Sequence, residues 1–100
     1  MIENSIRTML EAPEAGEGAP TPTHIEHLLT SGYARAMAIE GEQWRLQRRI
    51  VDVALQLADE YNELQARDLR KLARELREVD EELVSIRALI RSLRTRTNAP

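Results

Sequence analysis

LRKLARELREVDEELVSIRALIRSL, residues 69–93, decides the fold. Leu69, Leu72, Leu76, Val79, Leu83, Ile86, Ile90 and Leu93 recur in steps of three and four without a miss. That is an a/d heptad, the pattern of a helix whose apolar stripe packs on another helix. The positions between are mostly charged, so the rest of this helix faces water.

Upstream, residues 25–64 read as a second helix. Leu46, Ile50, Val53, Leu57 and Leu64 make one stripe, and Trp44, Val51, Leu55 and Ala58 make another beside it. The combined face is wider than a two-stranded seam requires. Gly41 is a place for a kink. Gly32 and Gly41 together are places where another helix can come close.

The step of five from Leu64 to Leu69 breaks the phase. Asn62 can close the first helix and Asp68 can cap the next. We therefore predict an all-α chain built on a long antiparallel, coiled-coil-like helical hairpin over residues 23–97, with its turn near 62–68. The alternative is one unbroken helix from about Glu42 to Thr97, roughly 80 Å long at 1.5 Å per residue. A turn near Gln65 would place Ile86 beside Trp44, Leu93 beside Met37 and Leu72 beside Ala58.

Two segments precede the hairpin. Residues 1–10 carry Ile2, Ile6, Met9 and Leu10 on one helical face, a short amphipathic piece that is marginal alone. Deleting it with the segment that follows should leave stability nearly unchanged. Residues 11–22 hold three Pro, two Gly and three Glu and read as a flexible linker. Thr23 and Glu26 fit a capping box that would open the hairpin, with Pro22 just outside it.

Composition excludes several classes. Only 3% of residues are aromatic and there is no Phe, which is too few for a small β-sandwich or barrel. No cysteine means no disulfide frame, thiolate metal site or cysteine nucleophile. A net charge of −3 argues against a nucleic-acid partner. No run approaches the apolar length of a membrane span, and Met1–Leu10 lacks the features of a secretory signal, so the expected location is the cytoplasm.

Catalytic chemistry finds little support. His24 and His27 stand i, i+3 with no Glu-x-x-His pair, so we expect no metal site and no cofactor. Ser5, Ser31, Ser85 and Ser92 have no histidine near them in sequence, and there is no glycine-rich phosphate loop. The expectation is that the chain is not an enzyme.

The surplus of apolar residues points to association. Val84, Ala88 and Leu89 lie outside the a/d seam, and Tyr33, Met37, Ile39 and Trp44 lie on the partner helix. A two-helix hairpin cannot cover them all, and uncovered apolar surface of this kind marks a contact between proteins. We expect a homo-oligomer, a dimer of hairpins forming a four-helix bundle. Its interface would be carried by Tyr33, Met37, Trp44 and Val84, with Ile86, Leu89 and Leu93.

The arginines suggest a second reading. Arg45, Arg48 and Arg49 form one cluster, and Arg87, Arg91, Arg94 and Arg96 another. Arg45, Arg48, Arg49, Arg87, Arg91 and Arg94 are candidates for an anion site, while cations near a helix C-terminus also complement its dipole. A small regulator that sequesters a transcription or signalling protein, gated by an anionic ligand, is the alternative function. Anti-sigma hairpins that bind a cyclic dinucleotide carry a Glu-x3-Ser-x2-Arg-x3-Gln-x3-Asp string. Glu81 and Ser85 match its start, but Ala88, Ser92 and Arg96 occupy the next three positions, so the resemblance stops at shape.

Overall fold

The computed structural model describes residues 1–98, with side chains through Arg96. The described residues form three helices, α1 (Ile2–Glu11), α2 (Pro22–Asp59) and α3 (Glu63–Asn98), and no strand. The chain falls into two compact units. One comprises residues 1–38 with α3 from Val84 onward, and the other Ile39–Leu83.

The first unit is a three-helix arrangement. Its core is Ile6 and Met9 from α1, Ile25, Leu28 and Ala36 from α2, and Ile86, Ile90 and Leu93 from α3. Gly32 is what lets the three helices close. A Cβ there would stand 3.2 Å from Ile90 Cγ1 and 3.3 Å from Ile6 Cδ1, inside ordinary van der Waals contact. The expectation for Gly32 is met in that sense. Gly41 differs, since a Cβ there would meet only the Arg45 side chain at 3.5 Å, and α2 runs through it.

α1 is not a loose appendage. Ile6 is fully buried and Met9 nearly so. Glu3 Oε1 accepts from Arg35 Nε at 3.3 Å. Arg96 donates from Nη1 to the Met9 carbonyl at 2.6 Å and from Nη2 to the Ala12 carbonyl. These are carbonyls at the C-terminal end of α1, where a helix lacks its own donors and favours a cation. The expectation that residues 1–22 can be removed at little cost is therefore corrected, because removal would empty part of a packed core.

The loop to α2 turns on an Ala19 N–H to Gly16 carbonyl bond of 3.2 Å, with Gly16 and Gly18 at φ of +83° and +85°. Such angles suit glycine, which has no Cβ to clash. α2 then opens two residues earlier than the capping-box reading. Thr21, not Thr23, is the cap, and its Oγ1 accepts from the His24 N–H at 3.1 Å. Pro22 takes the first helical position, where its missing N–H would have no helical partner and its fixed φ suits the helix.

The second unit holds the rest of α2 and the first half of α3. Val53, Ile39, Leu72, Val79 and Leu83 are its buried residues. The break between helices is residues 60–62, which rules out one helix from Glu42 to Thr97. It lies at the early edge of the expected 62–68 turn. Asn62 does not close α2 but caps α3, its Oδ1 accepting from the N–H groups of Leu64 (2.9 Å) and Gln65 (3.1 Å). Asp68 sits inside α3 and caps nothing. The shift moves the expected pairing as well. Asp80, rather than Ile86, stands beside this stretch of α2, accepting from Gln43 Nε2 at 2.6 Å.

All eight heptad residues of α3 lie on its covered side. Leu72, Val79, Leu83, Ile86, Ile90 and Leu93 are buried, and Leu69 and Leu76 half-buried.

Candidate functional site

Two apolar stripes were legible on α2, and only one is covered. Val53 is buried and Leu46, Ile50 and Leu57 are half-buried. Trp44, Val51 and Leu55 are 58%, 55% and 62% exposed. At 3.6 residues per turn these three fall within about 40° of one another, on the far side of α2 from Val53. Trp44 is therefore not part of a packed core within one chain. The Arg48 guanidinium lies over its indole, 5.3 Å from the ring centroid, and shields one face of the ring.

In the first unit Tyr33, Met37 and Val84 are likewise exposed, and Leu89 is half-buried. Ile86 and Leu93 are different. Both are fully buried inside the chain, because a and d positions of α3 point to its own core. Their side chains are withdrawn from the surface of the single chain.

The arginine clusters stand in separate units, Arg45, Arg48 and Arg49 in one and Arg87, Arg91 and Arg94 in the other, all exposed. The open depression beside Arg49 is lined by Lys71 as well, but also by Asp68 and Glu75, with Leu46 and Leu72 at its base. Two cations against two carboxylates make no net pull on an anion. Arg96 has a structural part, on the α1 carbonyls, beyond complementing its own helix end.

His24 and His27 are exposed on the first turn of α2. Among the described residues no three His, Asp or Glu side chains group closely enough to hold a metal, and no helix is long and apolar enough to cross a membrane. One side chain has a clearly shifted pKa. The Tyr61 hydroxyl donates to Glu63 Oε2 at 2.6 Å, and this bond, with the carboxylate charge, holds the phenol above its ordinary value. Tyr61 is an exposed residue in the helix break, beside Asp59, Glu60 and Asn62.

The feature that stands out is a surface: an exposed aromatic and two aliphatics on one helix face, with a cation laid over the aromatic. No family model, curated protein or solved structure matches this chain.

Proposed function

We propose that the chain is a non-enzymatic helical interaction module that associates with itself. The observation that carries the reading is the exposed face Trp44, Val51 and Leu55, ordered at helical spacing, with only the Arg48 side chain of its own chain laid over the indole. Aromatic residues on an ordered, uncovered face are the usual anchors of protein contacts. Tyr33, Met37 and Val84 extend the exposed apolar inventory to the other unit.

In this reading α2 and α3 form an antiparallel hairpin, and two hairpins make a four-helix bundle. The Gln43–Asp80 and Gln65–Gln56 hydrogen bonds support the hairpin, since both pairs straddle the break at nearly equal distances along the chain. The cysteine-free sequence fits a reducing compartment, and we place the module in the cytoplasm.

Light scattering on a sizing column across a dilution series tests the proposal. A mass of twice the monomer, with Trp44→Ala returning it to one, is the expected result. Trp44→Ala should shift the folding stability of the isolated chain by less than about 1 kcal/mol, as suits a half-exposed residue. A folded monomer at every concentration refutes self-association and transfers the face to a different protein, the sequestering regulator.

A further inference from the structure

We infer that the occupant of the exposed α2 face is α2 of a second copy, lying antiparallel to the first about a point midway between Arg49 and Ile50. The inference rests on the self-association proposed above and specifies its geometry. Trp44, Arg48, Val51 and Leu55 follow one another in steps of four, three and four, the spacing of a second heptad seam on the side of α2 away from its own core.

That seam contains one charge, and the charge selects the orientation. In a parallel, in-register pair each layer sets a residue against itself, so Arg48 would meet Arg48 of the other copy inside the contact. Like charges held together in a desolvating seam are strongly unfavourable. In the antiparallel pair Trp44 packs on Leu55 and Arg48 on Val51 of the other copy. Each guanidinium then keeps its place over its own indole, with its apolar stem in the contact and its head toward water.

The flanking charges agree. Arg45 and Asp52 each follow a seam residue by one, so both stand on the same shoulder of the helix. In an antiparallel pair the same shoulders face each other. Arg45 of each copy then lies against Asp52 of the other, giving two symmetric opposite-charge pairs at the rim. Both residues are exposed in the single chain and so can make them.

Charge reversal tests this on the full chain. Arg45→Asp alone places two carboxylates together at each rim, and Asp52→Arg alone places two cations. Each variant should dissociate at a concentration at least about tenfold above wild type. Mixing the two variants restores both opposite-charge pairs, and the mixture should recover the wild-type dimer mass. Circular dichroism on each variant establishes that it is folded.

If both variants associate as tightly as wild type, the antiparallel seam is overturned while self-association stands. If wild type is monomeric, both readings fall. Should a reversal unfold the chain, cysteines decide, because the native sequence has none. Gly41→Cys mixed with Ala58→Cys, the next layer of the same seam, keeps Trp44 and should give a cross-linked pair. Neither should cross-link alone, since equivalent positions are about 25 Å apart along the axis. Efficient cross-linking of either variant with itself overturns the orientation.

Discussion

Replacing Gly32 with alanine would test whether α1 docks where the structure puts it. Gly32 is buried inside α2, and glycine in a helix interior costs about 1 kcal/mol relative to alanine. Propensity alone therefore predicts a gain of that size. Packing opposes it. The new methyl would stand 3.2 Å and 3.5 Å from two atoms of Ile90 and 3.3 Å from Ile6 Cδ1, where carbons prefer about 3.5–4.0 Å. The two isoleucines sit on different helices, so α1 and α3 must both yield. Overpacking of this kind costs about 1–3 kcal/mol, and the expected net is a loss of about 1 kcal/mol.

The decisive reading comes from Ile6→Val, which deletes the crowded Cδ1. By itself that change should cost about 0.5–1.5 kcal/mol. In the Gly32→Ala background it should cost at least about 0.5 kcal/mol less, because it relieves what the alanine introduced. Urea unfolding followed by circular dichroism, at one fixed protein concentration, measures all four corners of the cycle. If Gly32→Ala stabilises by the full propensity gain and the two changes simply add, Ile6 is not against Gly32 and α1 is not docked there.

Three further outcomes are expected. Arg96→Gln removes the cation from the α1 carbonyls and should weaken α1 docking by about 1–3 kcal/mol, read as faster amide exchange in residues 2–11 with α3 unchanged. Asn62→Ala deletes the α3 cap and should lower the unfolding free energy by about 1 kcal/mol, whereas Asn62→Asp should keep it. Tyr61 should ionise at higher pH than a free tyrosine in a spectrophotometric titration, and Glu63→Gln should bring it back toward 10.0. The sign follows from the raised folded value: the Tyr61–Glu63 contact is fully present below the ordinary phenol pKa and is lost as pH rises through the raised one.

The heptad of residues 69–93 was readable because a period of three and four survives whatever the helix packs on. The helix break was harder to place. No Gly or Pro marks it, and Asn serves equally as the end of one helix and the cap of the next. Thr23 and Glu26 fit the capping-box pattern, but the preference of Pro22 for the first helical position sets the cap at Thr21. Burial of α1 could not be read from ten residues, since it depends on a gap that Gly32 opens between α2 and α3. The same is true of the two stripes on α2. Their residues are equally apolar, and only the placement of α3 decides that Val53 turns inward and Trp44 outward. Ile86 and Leu93, at heptad positions of α3, are turned inward by the same packing.

The hold of Arg96 on the Met9 carbonyl joins residues 87 apart in the chain. A ribosome releases α1 first, and at 5–20 residues per second its partner arrives roughly 4–17 s later. A ten-residue helix has no lasting stability in that interval. α1 therefore leaves the ribosome as a fluctuating segment, and Ile6 and Met9 cannot be fully covered until α3 has followed them.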